Sequence, residues 1–291
     1  MPLTELRAAL ADAVDRLERA GVPNSDVDAE LLAAHILNTN RGGVQAAVAS
    51  GRHLSDDEAL SLAKAIERRA EREPLQHITG LAPFRYLELE VGPGVFIPRP
   101  ETEIVTQAAL DYLRSVKAES GTVVVDFCTG SGAIALALAT ERPELHVYGV
   151  EKSAEAYAYA ERNKTKLGAR NLTLHLGDVA GAFPEFDSTV SLVISNPPYI
   201  PVAATPRDIE VRKFDPALAL YGGEDGLDVI RDLSETSKRI LKPGGPLIIE
   251  HGELQGAAIR ALLMHDGWSD AETHPDLTGR DRFTVAYKRI S

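Results

Sequence analysis

Residues 123–135, VVVDFCTGSGAIA, decide the fold class of this chain. The first five are apolar apart from Asp126, and a short apolar run bounded by turn residues predicts a buried strand. Residues 128–132 follow as a loop whose glycines let the backbone pass close to a ligand. An apolar helix is predicted from Ala133 to about Thr140. A strand, a glycine-containing turn and a helix in this order predict the start of a βαβ unit.

Strands and helices continue to alternate after this segment. Further strands are predicted at residues 146–151, 172–176, 190–194 and 247–250, with helices at 153–167, 227–241 and 254–265 and a terminal antiparallel pair at 268–273 and 283–288. The alternation predicts an α/β fold with a doubly wound, mostly parallel sheet of seven strands. Ligands of such sheets bind at the carboxyl ends of the strands.

A helical pattern precedes the α/β region. Apolar residues recur at spacings of three and four within residues 3–20, which predicts an amphipathic helix. A second helix is predicted for residues 24–37, begun by a capping residue. The glycine pair at 42–43 is expected to interrupt the pattern ahead of a short helix at 44–49.

Ser55 and Glu58 have the spacing of a capping box, which predicts a helix from there to about residue 73. Residues 74–80 are predicted to be a turn-rich connector, and a β-hairpin is expected around the Gly-Pro-Gly sequence at 92–94. Proline at position 100 suits the first turn of the next helix. The predicted domains are a helical substrate-recognition domain (1–74), a connector with a hairpin (75–97) and a catalytic domain (98–291).

The composition excludes several classes of protein. The chain has 291 residues and a formal net charge of −12, so we expect no stable nucleic-acid partner. Its one cysteine, Cys128, precludes an internal disulfide and fits a reducing cytoplasm. No apolar run approaches the length of a membrane span, residues 1–5 do not resemble a signal peptide, and no zinc-ligand spacing occurs. We therefore expect a cytoplasmic, metal-free monomer.

Three acidic residues fall at the ends of successive predicted strands. Asp126 is expected to repel a pyrophosphate but to attract an ammonium group. Glu151, about twenty residues beyond the glycines, can accept both hydroxyls of a ribose. Asp178 can accept an adenine amino group. Glu151 and Asp178 also suit plain helix capping, but the set of three favours S-adenosylmethionine, a ligand with adenosine and an amino-acid tail and no phosphate.

The fourth strand leads into Asn196-Pro197-Pro198-Tyr199, called the tetrapeptide below. The Asn196 side-chain oxygen and a neighbouring backbone carbonyl can each accept one N–H of a planar amino group. Pro198 fixes the backbone, and Tyr199 offers a face for stacking. Asparagine-proline and proline-proline pairs also occur in ordinary turns, so the tetrapeptide alone does not separate a turn from an amine-binding site.

Taken together, these residues resemble the class I S-adenosylmethionine-dependent methyltransferases, and among them the release factor glutamine methyltransferases of the PrmC/HemK type. The resemblance covers nearly the whole chain, and Pro-Arg-Pro-Glu-Thr-Glu is its most specific part because Asn-Pro-Pro-Tyr is shared with DNA amino-methyltransferases. The segments that carry it are 74–80, 96–103, 126–132, 196–200, 222–227, 250–252 and 279–282.

The resemblance implies methylation of the side-chain amide of the glutamine in the Gly-Gly-Gln motif of peptide chain release factors. It also implies that the tetrapeptide holds this glutamine. The residues that it places around S-adenosylmethionine are Cys128, Thr129, Gly130, Ser131, Gly132, Glu151, Asp178, Val179 and Asn196. Two positions depart from the family pattern, since Cys128 replaces a glycine and Val179 stands where some members carry an aromatic residue.

Three other functions are compatible with parts of the sequence. A DNA methyltransferase acting on adenine or cytosine would use the same tetrapeptide, but the net charge of −12 disfavours it. A nicotinamide-dependent oxidoreductase is disfavoured by Asp126 and by the tetrapeptide. A non-catalytic module that binds release factors or ribosomes would rely on the N-terminal helices alone.

Overall fold

The computed structural model describes residues 4–290. They form two compact units. The first contains the described residues up to Leu81 together with Arg207–Phe214, and the second contains Ala82–Pro206 and the described residues from Asp215 onward. Among residues 4–290 there is no helix with the length and hydropathy that crossing a bilayer requires.

The first unit is a helical bundle with a minor strand pair. Its core consists of apolar side chains from successive helices, including Leu6, Leu17, Leu32 and Leu62. Its elements are β1 (Thr4–Glu5), α1 (Leu6–Arg19), α2 (Ser25–Ile36), α3 (Arg41–Ala49), β2 (His53–Leu54), α4 (Asp56–Ala70), α5 (Leu75–Thr79) and α9 (Ile209–Phe214).

The helices of this unit follow the apolar periodicity, and their ends reflect local chemistry. Ser55 accepts a hydrogen bond from the Glu58 backbone, and Glu58 accepts one from Ser55, so the predicted capping box is confirmed. The first helix begins at Leu6 because Thr4–Glu5 pair with His53–Leu54; its predicted start at Leu3 lies outside the described residues.

Two predictions for this unit were wrong. The glycine pair lies inside α3, because the Asn40 side chain accepts a hydrogen bond from the Gly43 N–H and starts the helix ahead of it. Residues 75–79 of the predicted connector form α5, which ends at Gly80 in the left-handed conformation. In both places a single capping or terminating residue outweighed composition.

The second unit is a seven-stranded sheet with helices on both faces. Its strands are β5 (Val123–Phe127), β6 (His146–Glu151), β7 (Leu172–Leu176), β8 (Leu192–Ser195), β9 (Pro246–Glu250), β10 (Ser269–Pro275) and β11 (Asp281–Tyr287). Its helices are α6 (Pro100–Ser115), α7 (Ala133–Glu141), α8 (Ala154–Leu167), α10 (Ala217–Leu220), α11 (Asp228–Ile240) and α12 (Gly256–His265).

The strand order is β10-β11-β9-β8-β5-β6-β7. Strands β5 to β9 run parallel, and β11 pairs antiparallel with both β9 and β10. The predicted doubly wound, mostly parallel sheet is therefore confirmed. The order reverses at β5, whose two neighbours β6 and β8 lie on opposite sides, so the carboxyl ends of these strands form a crevice.

The predicted hairpin exists, but its turn is misplaced. β3 (Leu81–Phe84) pairs with β4 (Leu87–Glu90) across a turn at Arg85-Tyr86, where Arg85 has a φ of 52°. Gly92 and Gly94 lie in the following loop and pack against α8, since a methyl group at either position would overlap side chains of Tyr159 or Glu155. These glycines permit close packing and do not form the hairpin turn.

Candidate active site

A cavity of about 660 Å³ lies at the carboxyl ends of β5, β6, β7 and β8. All of its lining residues belong to the second unit. The predicted site residues on its wall are Cys128, Thr129, Gly130, Ser131, Glu151, Asp178, Val179, Asn196, Pro198 and Tyr199. Gly132 and Pro197 are adjacent to wall residues and do not themselves line the cavity.

The loop at residues 128–132 turns sharply between β5 and α7. Cys128, Gly130 and Gly132 all have positive φ, with 58° at the cysteine. This conformation is uncommon for a residue with a Cβ and explains why glycine suits that position. Gly132 is needed for packing, because a Cβ there would come within 2.9 Å of the Leu136 side chain, whereas Gly130 has open space around it.

Asp126 has a different role from the one expected. Its side chain is fully buried and is absent from the cavity wall. One carboxyl oxygen accepts hydrogen bonds from the Thr129 hydroxyl at 2.5 Å and the Ala135 N–H at 3.1 Å. Burial raises the pKa of this carboxyl to about 7. Asp126 therefore fixes the loop to the start of α7 and is not placed to attract a ligand's ammonium group.

Glu151 is anchored by the backbone on both of its carboxylate oxygens. Its Oε2 accepts the Gly130 N–H at 2.8 Å, and its Oε1 accepts the Ser153 N–H at 2.7 Å. Burial raises the pKa of Glu151, and these backbone donors partly offset the rise. Each carboxylate oxygen has a second lone pair, so the group can still accept two ligand hydroxyls.

Asp178 pairs with Lys152 on the cavity wall. The Lys152 ammonium lies 2.7 Å from Asp178 Oδ2, and the hydrogen bond from Lys152 holds the pKa of this carboxyl below its usual range. Oδ1 accepts the Val179 backbone N–H at 2.7 Å. Lys152 was missed in the sequence, because an exposed lysine after a strand gives no local signal for a partner on the next strand.

The tetrapeptide is held by its backbone. Gln255 donates a hydrogen bond of 2.8 Å to the Tyr199 carbonyl. The turn at residues 222–226 packs directly on it, because a Cβ at Gly222 would come within 2.4 Å of the Pro198 carbonyl oxygen. The Asn196 side chain is half-buried, and its Nδ2 donates to the Thr102 hydroxyl at 3.3 Å.

Tyr199 lies partly below the cavity surface. Burial raises the pKa of its hydroxyl to about 12, and the nearby Glu250 carboxyl adds to the rise. Tyr199 is therefore a neutral aromatic surface at physiological pH and not a base. Sequence reasoning had assigned Tyr199 to stacking and had missed Thr102, Glu250 and Arg282, which lie far apart in the chain.

His251 is a structural residue. It is fully buried, with Nδ1 at 2.9 Å from the Gly252 carbonyl and Nε2 at 2.8 Å from the Thr284 hydroxyl. Burial lowers the pKa of the imidazole, which keeps it neutral. Within residues 4–290 no cluster of three or more His, Cys, Asp or Glu side chains has an arrangement suited to a metal ion.

Comparison with known proteins identifies two family patterns in the chain. Residues 8–80 match the family described as PrmC N-terminal domain, and residues 118–274 match the family described as methyltransferase domain. The crystal structure of a methyltransferase from Pyrococcus furiosus superimposes with a TM-score of 0.50 over 70% of this chain and 90% of that one, at 20% identity. This likeness supports the fold alone.

Curated relatives cover almost the whole chain. The release factor glutamine methyltransferase of Streptomyces coelicolor is 47% identical over 98% of this chain and 99% of its own length. The 4-amino-L-phenylalanine/4-methylamino-L-phenylalanine methyltransferase of Streptomyces pristinaespiralis is 38% identical over 93% of this chain and 91% of its own length. The two names differ in the substrate, which is a release factor glutamine in the first and 4-amino- or 4-methylamino-L-phenylalanine in the second.

Proposed function

Since the chain belongs to the release factor glutamine methyltransferase family, we propose that its cavity is where a release factor glutamine receives a methyl group from S-adenosylmethionine. The acceptor is the side-chain amide nitrogen of the glutamine in the Gly-Gly-Gln motif. The observation that carries the proposal is the position of Asn196 on the wall of the same cavity as Glu151 and the loop at residues 128–132.

The residues on the cavity wall suit the chemical groups of S-adenosylmethionine. The wall combines glycine backbone at Gly130, the buried carboxylate of Glu151 and the anionic Asp178, which suit the amino-acid, ribose and adenine parts in turn. Glu151 and Asp178 are the carboxylates to which we assign contacts with the cofactor. Asp126 is not assigned one, because it is buried beneath the loop. When bound, this cofactor supplies a methyl group on a positively charged sulfur.

The protein contributes mainly by positioning. An amide nitrogen is a weak nucleophile because its lone pair is conjugated with the carbonyl, and the peptide rotation barrier of about 18–20 kcal/mol reflects that conjugation. In the proposed mechanism Asn196 Oδ1 and the Pro197 carbonyl accept the two N–H groups, which aims the nitrogen lone pair into the cavity. Pro197 is buried and does not itself line the cavity, so the only contact proposed for it is through its backbone carbonyl oxygen.

Positioning of this kind can account for much of the rate. Holding two reactants in a productive geometry contributes up to about 7–11 kcal/mol in favourable cases. No strong base is required before the attack, because the N–H proton becomes acidic and leaves after the nitrogen has been methylated. The neutral Tyr199 is consistent with a site that orients and shields the amide.

Replacing Asn196 with Ala should therefore lower turnover by roughly 100-fold or more, in line with the loss of other preorganised polar groups from active sites. Affinity for S-adenosylmethionine should change far less, since Glu151 and Asp178 remain. Turnover is measured with a purified release factor and labelled cofactor, and affinity by calorimetry. Near-normal turnover of the Asn196→Ala enzyme would rule out this mechanism.

The acceptor is tested by offering the wild-type enzyme four candidates. These are a purified release factor, its variant with alanine in place of the motif glutamine, 4-amino-L-phenylalanine and duplex DNA. Label is expected on the wild-type release factor only. Label on DNA alone would favour an exocyclic-amine methyltransferase, and label on the free amino acid alone would favour the activity named for the second relative.

Two further properties belong to this proposal. We place the enzyme in the cytoplasm, because its single cysteine is half-buried beside the cavity and no disulfide is available to it. We also propose that it works as a monomer.

A further inference from the structure

The loop between β9 and α12 lies against the tetrapeptide. It consists of residues 251–255, since β9 ends at Glu250 and α12 begins at Gly256. The last residue of the loop, Gln255, donates a hydrogen bond from Nε2 to the Tyr199 carbonyl oxygen at 2.8 Å. Its Oε1 accepts the Gly252 N–H at 3.0 Å. One carboxamide therefore connects this loop to the residue that ends the tetrapeptide.

We propose that Gln255 is a positioning residue that holds the tetrapeptide in the place where it receives the glutamine amide. The inference rests on the proposed function, because that function assigns the amide to the tetrapeptide. Gln255 is not among the residues that line the cavity, so it acts through the Tyr199 carbonyl and needs no contact with the substrate.

The tetrapeptide offers few backbone groups as anchors. Pro197 and Pro198 have no N–H to donate. The Pro197 carbonyl is the acceptor proposed for the substrate, and the Pro198 carbonyl oxygen packs against backbone, since a Cβ at Gly222 would come within 2.4 Å of it. The Tyr199 carbonyl is an anchor that remains, and the Gln255 side chain binds it.

The two partners of Gln255 determine the orientation of its amide. A backbone N–H can only donate and a backbone carbonyl can only accept. Gly252 presents the N–H and Tyr199 presents the carbonyl, so Oε1 must face the first and Nε2 the second. A reversed amide would place donor against donor and acceptor against acceptor. The position therefore needs a side chain that carries an acceptor and a donor on one planar group.

Glycine backbone packs closely around this carboxamide. A Cβ at Gly226 would come within 2.3 Å of the Tyr199 carbonyl oxygen and 2.9 Å of Gln255 Nε2. A Cβ at Gly252 would come within 3.0 Å of Gln255 Oε1 and 3.7 Å of a ring carbon of Tyr199. Gly226 is buried, which limits the access of bulk water to this side of the hydrogen bond. A change in the carboxamide is therefore transmitted directly to Tyr199.

The backbone of Gln255 is itself fixed. Its N–H donates to the Gly252 carbonyl at 3.0 Å, and its carbonyl accepts the Ile259 N–H at 3.0 Å in the first turn of α12. Ile259 is fully buried in the core of the second unit. The side chain thus extends from a rigid base, which a residue that positions another must have.

The first test is Gln255→Met, which removes both polar groups from an unbranched side chain. Single-turnover methylation of a release factor should fall by about tenfold or more, because a displacement of about 1 Å can cost up to 100-fold in rate. Affinity for S-adenosylmethionine, measured by calorimetry, should stay within about twofold of wild type, since no cofactor contact is altered.

Gln107→Met is the matched control. The Gln107 carboxamide on α6 also connects two partners, because it accepts from Arg85 and donates to Asp111, each at 2.9 Å. Gln107 is half-buried and is not among the residues that line the cavity. This variant should match the wild-type rate, so that a loss in Gln255→Met reflects the contact with Tyr199 and not the removal of a carboxamide as such.

Gln255→Glu provides a readout that a loss of stability does not imitate. An ionised carboxylate has no proton for the Tyr199 carbonyl, whereas a protonated one can accept the Gly252 N–H and donate to Tyr199. The rate of this variant relative to wild type should therefore rise as the pH is lowered from 8.5 to 5.5, while the relative rate of Gln255→Met stays constant. Every titratable group outside position 255 is common to these proteins, including those of the neighbouring turns: Tyr199, Glu224, Asp225, His251 and Glu253.

Three results would overturn the inference. These are a Gln255→Met enzyme as fast as wild type, a loss of cofactor affinity in Gln255→Met as large as its loss of rate, and a relative rate of Gln255→Glu that does not rise at lower pH. Failure of the proposed function is a different result, since wild-type enzyme would then leave the release factor unmodified at every pH.

Discussion

Glu151 is the single residue on which cofactor affinity should depend most. Its carboxylate is anchored by backbone N–H groups of Gly130 and Ser153 and lies on the cavity wall. Hydrogen bonds to a charged group contribute about 1.5–3 kcal/mol each, so the loss of even one such bond in Glu151→Ala should weaken S-adenosylmethionine binding by roughly ten- to 100-fold or more. Calorimetry measures this directly.

A control is needed because Glu151→Ala also removes two hydrogen bonds inside the protein. Glu185→Ala changes an exposed glutamate in the same unit and should leave cofactor affinity unchanged. The melting temperature of each variant separates loss of the loop structure from loss of ligand contacts. Unaltered cofactor affinity in a folded Glu151→Ala enzyme would remove Glu151 from the binding site.

The position of a single residue on the cavity wall was predictable where the residue follows a predicted strand. Glu151, Asp178 and Asn196 each follow a run of apolar residues, and the fold brings such ends together. The contact between Thr102 and Asn196 was not predictable in this way, because it depends on how α6 packs against β8. Asp126 was misjudged for a related reason, since its position at a strand end did not reveal that its side chain points under the loop.

At the scale of an element, the turn at residues 222–226 supports the tetrapeptide from behind. A Cβ at Gly222 would come within 2.4 Å of the Pro198 carbonyl oxygen and 2.8 Å of the Gly226 carbonyl oxygen. Both are backbone atoms, so Gly222→Ala must displace the tetrapeptide. We expect turnover to fall by about tenfold or more, because a misplacement of about 1 Å can cost up to 100-fold in rate.

The matched control for this change is Gly42→Ala within α3, where the nearest atom is the Asn40 side-chain oxygen at 3.3 Å and not a backbone atom. That variant should keep full activity and should be as stable as wild type or slightly more so, since alanine is the better helix former. Equal turnover in Gly222→Ala and wild type would show that this turn does not position the tetrapeptide. Methylation of a release factor is the measurement in both cases.

Element prediction worked best where burial imposed a simple pattern. Strands β5, β6 and β7 have the boundaries expected from the sequence. The central strand β5 is apolar apart from Asp126 because both of its faces are covered, whereas the edge strand β7 alternates between buried leucines and exposed polar residues. The hairpin turn was misplaced because Gly92-Pro93-Gly94 is a stronger local turn signal than Arg85-Tyr86. Helix α9 gave no usable signal, since it is six residues long and belongs to a unit otherwise formed by the N-terminal residues.

At the scale of the whole molecule, the alternation of strands and helices was sufficient to predict the succession of elements along the α/β unit and the edge of the sheet where ligands bind. It was not sufficient to predict the division of the chain, because Arg207–Phe214 joins the first unit through ion pairs of Glu210 with Arg69 and Arg72. Arg69 and Arg72 thus make ion pairs within the first unit. Sequence proximity carries no information about such distant pairs.

Buried carboxyls should make the second unit less stable as the pH rises. Burial raises the pKa of both Asp126 and Glu250 to about 7, well above the values of about 4 that such groups have when unfolded. Between these values the folded protein keeps protons that the unfolded chain has lost. The free energy of unfolding should therefore decrease from about pH 5 to pH 8, by roughly 1–3 kcal/mol for each carboxyl.

Urea unfolding of the full chain at pH 5.5 and pH 8.0 measures this change, and the only tryptophan, Trp268, provides a fluorescence probe that is 1% exposed in the core of the second unit. The decrease should be smaller in Glu250→Gln than in wild type and unchanged in Glu185→Gln, which alters an exposed residue. His251 acts in the opposite direction, because its pKa is lowered by burial, but it is common to all three proteins. An equal decrease in Glu250→Gln and wild type would mean that Glu250 is ionised throughout this range.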